Sequence, residues 1–325
     1  MESDAKRAAR GCTMADIVIT EFLEPSAVEL LEQDFSVHCD PELWNKRAEL
    51  ERLVRHLPAL IVRNRTRVDK ALLGLAPRLT VVGRLGVGLD NIDVGHCEAR
   101  GIEVVSARGA NATSVAEYAI AMAMTLLRGP AYLGTQRLVQ GEWPREAFGR
   151  GLELAGKILG VIGLGSIGST TARKARALEM RVIACDPYLP PRSENWHLAE
   201  KVSLDTLLGT ADVVSLHCPL TEETRGMIGA QEIGLMKRGS ILINTARGSI
   251  VDHLALAAAL RSGHLSGAAL DVFGCEPITA EEGQIFDSLA NVILTPHIAG
   301  VTVEANHRVS RLTVEEVVRI LKKRQ

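Results

Sequence analysis

The chain has 325 residues, 46% of them hydrophobic and 23% charged, with a formal net charge of −2. That length can bury a large core divided between two lobes, and the near-neutral charge excludes the basic footprint of a nucleic-acid or membrane-surface protein. The expected partners are therefore small molecules, with no nucleic acid and no membrane. The longest nearly apolar stretch, Ala116 to Leu127, contains Glu117 and is well short of the roughly 20 residues that a bilayer-spanning helix needs. Six cysteines, Cys12, Cys39, Cys97, Cys185, Cys218 and Cys275, lie far apart, with no C-x-x-C pair and no two histidines at helical spacing. That usage points to a reducing cytoplasm, with neither a disulfide scaffold nor a metal site.

Residues 1–13 are polar and basic without an apolar core, so they do not read as a secretory signal and are expected to be disordered. From Met14 onward, apolar β-branched runs alternate with helical periodicity, the pattern of a parallel sheet with crossover helices, and the fold class is α/β. Strands are expected over Ile17 to Ile19, Leu60 to Val62, Val81 to Arg84 and Ile102 to Val105, with helices over Ser26 to Leu31 and Arg47 to Leu57. These make one doubly wound lobe over residues 14–112. Ser114-Val115-Ala116-Glu117 has the S-x-x-E form of a capping box and predicts the start of a helix running to Leu127, the crossing into a second lobe over residues 113–299. Six strands are expected there: Ile158 to Ile162, Val182 to Cys185, Val213 to His217, Ile241 to Asn244, Ala268 to Val272 and Val292 to Thr295. Six parallel strands with intervening helices match the dinucleotide-binding architecture. A last helix, Glu304 to Leu321, carries Val309, Leu312, Val317, Ile320 and Leu321 at helical spacing and is expected to return residues 300–325 to the first lobe.

The strongest motif lies between the first strand and first helix of that second lobe. Lys157 to Ile162 reads as a buried strand, runs into Gly163-Leu164-Gly165-Ser166-Ile167-Gly168, and is followed by a helical stretch to Leu178. In this context Gly163 permits the tight turn, Gly165 lets a pyrophosphate approach the backbone, and Gly168 lets the helix pack on the strand. Asp186 ends the next strand 18 residues after Gly168, where a carboxylate binds adenosine ribose hydroxyls and repels a 2′-phosphate. The expected cofactor is NAD.

Two later strand ends carry groups suited to hydride transfer at a 2-keto acid. Arg247, in Asn244-Thr245-Ala246-Arg247-Gly248, can fork onto a carboxylate and polarise a carbonyl. His297, in Thr295-Pro296-His297-Ile298-Ala299-Gly300, can exchange the hydroxyl proton, a task that suits an imidazole. A carboxylate beside it would favour the imidazolium next to a cationic arginine, and Glu276, in Phe273-Gly274-Cys275-Glu276-Pro277, is the candidate.

Together the segments RLGVGLDNID (84–93), GLGSIG (163–168), NTARGSIVD (244–252), ALDVFGCEP (269–277) and TPHIAG (295–300) resemble the successive signatures of the D-2-hydroxyacid dehydrogenase family, over nearly the whole chain from Met14. The resemblance implies a flavodoxin-like substrate lobe built from both chain ends, a Rossmann NAD lobe, and a homodimer formed through the NAD lobes. It implies Arg247, Glu276 and His297 as the catalytic set. The cofactor would contact Gly163, Gly165, Ser166, Ile167, Gly168, Asp186, Pro219, Thr224, Thr245, Ala246, Asp271, His297 and Gly300, with Asp271 near the nicotinamide amide. Substrate would be held by Arg63, Arg84, Arg247 and the backbone N–H groups of Val87 and Gly88.

Within the family, Ile61 to Thr66, Arg84 to Gly88 and Ser114 to Tyr118 resemble the phosphoglycerate and sulfolactate dehydrogenase branches, and Pro296 to Thr302 with Asn306 and Arg308 is closer to the second. The expected substrate thus carries a distal anion, (S)-sulfolactate or 3-phosphoglycerate, with Arg63 pairing to that anion. The alternatives are a glyoxylate or hydroxypyruvate reductase, and an NAD(H)-binding sensor or co-repressor without turnover.

Overall fold

The computed structural model describes residues 15–129 and 134–324. The expected disorder of residues 1–13 and the thiol of Cys12 lie outside the described residues. The chain divides into two compact units, Met1–Asn111 with Val303–Gln325, and Ala112–Thr302.

In the first unit, strands β1 (Ile17–Ile19), β2 (Val37–Cys39), β3 (Ala59–Val62), β4 (Val81–Arg84) and β5 (Glu103–Ser106) form a wholly parallel sheet in the order β2-β1-β3-β4-β5. That order is the flavodoxin-like one. Helices α1 (Pro25–Glu32), α2 (Arg47–Leu53), α3 (Lys70–Gly74) and α4 (Val94–Ala99) make the crossovers. Strands β1 and β3 are buried on both faces, which is why they read as unbroken apolar runs. Strand β2, Val-His-Cys on the sheet edge, is half-exposed and has no such run, so the sequence pattern does not reveal it. The C-terminal helix, Val303–Lys323, lies on β4 and α1, and its Val309, Val314, Val317, Ile320 and Leu321 share a core with Ile17, Ile19, Ile61 and Val81. Gly83 makes this close approach possible, since a β-carbon there would lie 2.8 Å from the Val317 side chain.

The second unit opens with α5 (Ala112–Arg128), followed by α6 (Thr135–Val139) and α7 (Arg145–Phe148). Its sheet contains β6 (Ile158–Ile162), β7 (Arg181–Cys185), β8 (Glu200–Lys201), β9 (Val213–Leu216), β10 (Ile241–Asn244), β11 (Gly267–Leu270) and β12 (Val292–Leu294), connected by α8 (Ser166–Ala177), α9 (Leu204–Thr210), α10 (Ala230–Leu235), α11 (His253–Arg261) and α12 (Ala280–Gln284). All pairs are parallel, in the order β8-β7-β6-β9-β10-β11-β12. This is the dinucleotide-binding order with one more strand beyond its sixth. The sequence pattern predicts six strands and the sheet has seven; the extra one, β8, is two exposed charged residues with no apolar signature. Leu159, Val161, Val182 and Ile243 fill one face, against α5 and α8, and Val214, Leu242, Leu256 and Leu270 fill the other.

The capping box expected at Ser114 is not formed. Helix α5 begins two residues earlier, and the buried Ser114 hydroxyl instead meets Thr302 Oγ1 at 3.0 Å while Glu117 pairs with Lys174 of α8 at 2.8 Å. Both side chains serve tertiary contacts, which local spacing cannot distinguish from capping. Among the described residues, no helix is long and apolar enough to cross a membrane, no cluster of three or more potential ligands could hold a metal, and Cys39, Cys97, Cys185, Cys218 and Cys275 are free thiols.

Candidate active site

The order of strands reverses between β6 and β9, so the loops leaving these neighbours diverge at the carboxyl end of the sheet, where open α/β sheets bind ligands. Gly163 leaves β6 with φ +90°, and a β-carbon there would lie 2.8 Å from the Cys218 nitrogen. Gly168 sits so close beneath it that a β-carbon would come within 2.0 Å of the Gly163 carbonyl oxygen. Gly165, between them, faces open space to at least 4 Å. Helix α8 starts directly after it at Ser166-Ile167-Gly168 without a side-chain cap, so its N-terminus is shaped for a diphosphate.

Asp186 does more than present a carboxylate at the end of β7. Its Oδ2 accepts the Leu164 N–H at 2.8 Å, and its Oδ1 accepts from Tyr188 and Leu189 at 3.1 and 3.0 Å, so it ties the glycine loop to the neighbouring strand end. Oδ2, with one accepted bond, retains a second lone pair for a ribose hydroxyl. After β9, Thr224 Oγ1 donates to the Pro219 carbonyl at 2.7 Å and closes that loop. After β10, the Thr245 hydroxyl is buried and has no hydrogen-bond partner in the protein. A dinucleotide fits these features: a phosphate cradle, a ribose acceptor and an orphaned buried hydroxyl along one sheet end.

Arg247, Glu276 and His297 come from the loops after β10, β11 and β12. The buried Asn244 side chain clamps the first of these, donating to the Arg247 carbonyl and accepting the Ala246 N–H, each at 3.0 Å. The half-buried Arg247 then donates from Nη1 to the Ala246 carbonyl at 2.6 Å. Gly248 rests on the next loop so tightly that a β-carbon would lie 2.0 Å from the Phe273 carbonyl carbon. That next loop bears Glu276, whose Oε1 accepts the Phe273 N–H at 3.0 Å and whose Oε2 lies 2.6 Å from His297 Nδ1. Burial works to raise the Glu276 pKa. The hydrogen bonds from His297 and Phe273, and the charges of His297 and Arg247, outweigh it and hold the carboxyl below the usual range. With Nδ1 turned to this carboxylate, Nε2 is the imidazole nitrogen left to exchange a proton.

His297 adopts φ +56°, a left-handed conformation that an ordinary side chain holds only when its surroundings enforce it. Asp271 enforces it. The His297 N–H donates to the Asp271 carbonyl, and the buried Asp271 carboxylate accepts from Thr295 Oγ1 at 2.6 Å and from the Ile298 and Ala299 N–H groups at 2.8 Å each. Tyr118 OH in turn meets Thr295 Oγ1 at 2.6 Å. Burial pushes the Asp271 pKa up against the opposing effect of these hydrogen bonds and of His297. The resemblance placed Asp271 toward the cofactor; its visible work is to shape the turn that carries His297, which leads on to Gly300. Tyr118 gives no sign of this role in the sequence, because its contact with Thr295 joins residues 177 positions apart, and the Asp271 contacts join the ends of two different strands.

The remaining sequence candidates lie in the first unit. Arg63 follows β3, and the buried carboxylate of Glu21 accepts N–H groups from Arg63, Arg65 and Thr66 at 2.8 to 3.1 Å, fixing the turn. Arg63 Nη2 donates to Asn306 Oδ1 at 2.6 Å, and burial lowers its pKa despite the opposing charge of Glu21. It is thus a held guanidinium, not a solvated strand-end charge. Arg84, at the end of the adjacent β4, folds over Gly86 and donates to the Leu85 carbonyl at 2.9 Å. Val87 and Gly88 follow in the same half-buried turn.

Residues 120–299 match the family model described as the NAD-binding domain of the D-isomer specific 2-hydroxyacid dehydrogenases. The chain belongs to the D-2-hydroxyacid dehydrogenase family. This dehydrogenase is 50% identical to the (S)-sulfolactate dehydrogenase of Chromohalobacter salexigens over 309 residues, 95% of this chain and 99% of that protein. It is 38% identical to the D-3-phosphoglycerate dehydrogenase of Archaeoglobus fulgidus over 94% of its own length, but spans only 57% of that longer protein. The D-lactate dehydrogenase of Aquifex aeolicus, solved with NAD and lactic acid, superposes with a TM-score of 0.79 at 31% identity, covering 94% of this chain and 95% of that one. The protein is an NAD-dependent oxidoreductase of 2-hydroxy acids.

Proposed function

We propose that this dehydrogenase interconverts (S)-sulfolactate and its 2-keto acid, with Arg247, Glu276 and His297 as the catalytic set. The observation that carries the substrate is the end-to-end match to a sulfolactate dehydrogenase at 50% identity, over 99% of that relative. When bound along the glycine loop, NAD would supply the hydride acceptor or donor. In oxidation, His297 Nε2 takes the hydroxyl proton as hydride leaves C2, and Glu276 Oε2 stabilises the imidazolium from the Nδ1 side. In reduction the imidazolium returns that proton to the carbonyl oxygen. Arg247 holds the substrate carboxylate and polarises the carbonyl.

The name of the family and the (S) label of this substrate agree in space. The sulfur-bearing CH2 outranks the carboxyl group in priority, because sulfur outranks oxygen, so (S)-sulfolactate has the same hand as D-lactate and D-glycerate derivatives. Arg63 is the cation proposed for the distal sulfonate, its guanidinium oriented by Asn306.

The test is initial-rate NADH absorbance with sulfolactate, 3-phosphoglycerate, D-glycerate, D-lactate, and, in the reverse direction, hydroxypyruvate and glyoxylate. Sulfolactate should give the highest kcat/KM; a clear preference for another of these acids overturns the assignment. Arg63→Ala should lower kcat/KM for sulfolactate by roughly 10- to 150-fold, the equivalent of about 1.5–3 kcal/mol for a hydrogen bond to a charged group. Glyoxylate, which has no distal anion, should be little affected, and equal losses for both would remove Arg63 from this role.

The quaternary reading is a homodimer through the NAD-binding unit, in a reducing cytoplasm consistent with the scattered free thiols. Helices α6 and α7 bury none of their own residues, and Val139 and Trp143 are 77% and 78% exposed. Large apolar side chains left exposed on this segment are what a subunit contact would cover. A Val139→Glu/Trp143→Glu double variant should shift the mass measured by light scattering from dimer to monomer; a wild-type protein already monomeric at micromolar concentration refutes the dimer.

A further inference from the structure

The loop from Asp271 to Thr279 carries Glu276 but contains neither strand nor helix, so something other than backbone ladders must hold it. Phe273 donates to Glu276 itself. The next two N–H groups, Gly274 and Cys275, donate to Glu282, at 3.0 Å to Oε1 and 3.3 Å to Oε2. Glu282 lies in the first turn of α12, yet it is not needed as that helix's cap, because Thr279 Oγ1 already accepts the Glu282 N–H at 3.2 Å. Its carboxylate is instead turned back on the loop and is only 16% exposed.

The carboxylate is itself held. His253, the first residue of α11, places Nδ1 3.2 Å from Glu282 Oε1, and its buried ring stands edge-on to Phe273 and Phe286, with centroids 6.2 and 5.5 Å away. Phe273 is also the residue on whose backbone Gly248, and with it the Arg247 loop, rests. A continuous path therefore runs from His253 through Glu282 to Gly274 and Cys275, then to Glu276 and His297.

We propose that Glu282, fixed by His253, is a positioning residue: it sets the loop so that Glu276 meets His297 Nδ1. The proposal rests on the reading of Glu276 and His297 as the acid–base pair. Two backbone donors on one half-buried carboxylate define both the height and the tilt of the loop just before Glu276. Releasing them lets Glu276 drift from the imidazole, which weakens its hold on the imidazolium without removing any group that touches substrate. The charged groups that act on the pair from other loops, Arg247 and Asp271, are the same in every variant.

The experiment compares Glu282→Ala, Glu282→Gln, His253→Phe and Glu276→Gln with the wild type, measuring kcat and KM for reduction across pH, NADH affinity by fluorescence, and Tm. Glu276→Gln should move the pH limb of kcat downward. Glu282→Ala should move it the same way by less and lower kcat about tenfold, as expected for loss of a hydrogen bond to a charged group. NADH affinity should change less than about twofold, because its cradle is untouched. Glu282→Gln keeps one acceptor and should recover much of the rate. His253→Phe keeps the ring contacts but frees Glu282, and should fall between wild type and Glu282→Ala; it also provides the answer if Glu282→Ala does not fold. A lowered Tm with kcat and the pH limb unchanged in the Glu282 and His253 variants overturns the proposal while leaving the acid–base pair intact. An unmoved limb in Glu276→Gln takes down both.

Discussion

Replacing His297 with asparagine should lower turnover in both directions by about 10²–10⁴-fold, the usual worth of a general acid–base group. Asparagine is the informative choice because of the backbone. Position 297 has φ +56°, and asparagine visits the left-handed region more readily than alanine, so the variant removes the imidazole without adding backbone strain. Binding of NADH should change little, since the glycine loop and Asp186 lie on other strand ends. The pH dependence separates this role from a merely structural one. Reduction needs His297 charged at the start and oxidation needs it neutral, so the wild-type optimum should be higher for oxidation, and this separation should vanish in the variant. Glu276 adds a sign of its own. Its carboxyl titrates below the usual range, held down by the His297 hydrogen bond against the effect of burial. A group depressed in the folded state contributes stability that is present above its unfolded pKa and lost as pH falls through its folded one. The Glu276 carboxylate is therefore charged at neutral pH, and its own contribution is lost only on acidification. Coincident optima for the two directions, once product release is shown not to limit either, would mean that another group carries the proton.

The parts of this architecture that were legible in the sequence are those whose constraints are local. Alternating apolar runs and helical stretches identify the parallel α/β fold because strands such as β1, β3 and β9 are buried on both faces. The glycine loop is visible because three of its residues carry separate steric demands within six positions. Strands β2 and β8 escape because they are exposed at sheet edges, where no apolar period is required. The S-x-x-E at Ser114 misleads for the converse reason: its side chains answer to Thr302 and Lys174, not to the backbone beside them. At the candidate site, Arg247, Glu276 and His297 stand out as polar groups just past apolar strands. The groups that hold them do not. Asp271 and Tyr118 shape the His297 turn, Asn306 orients Arg63, and Glu282 fixes the Glu276 loop, each through contacts between segments that spacing alone does not relate. The left-handed backbone at His297 is likewise unreadable, because a histidine does not mark such a position as a glycine would.

The second large effect is expected at Arg247. Arg247→Ala should lower kcat/KM for the 2-keto acid by about 10²–10³-fold, the scale for removing a preorganised donor to developing charge. The surroundings make this a clean substitution. Asn244 clamps the backbone on both sides of Ala246, and Gly248 is seated against Phe273, so the chain at position 247 is fixed by groups that the substitution leaves in place. A loss of activity with Tm within a few degrees then belongs to the guanidinium. Arg247→Lys sharpens the argument, because it restores the charge but not the planar pair of donors that matches a carboxylate. If the fork matters, lysine should recover only part of the rate, with KM for the keto acid still raised. Full activity in the lysine variant would reduce the requirement to a point charge, and an unaffected kcat/KM in the alanine variant would show that the substrate carboxylate is held elsewhere.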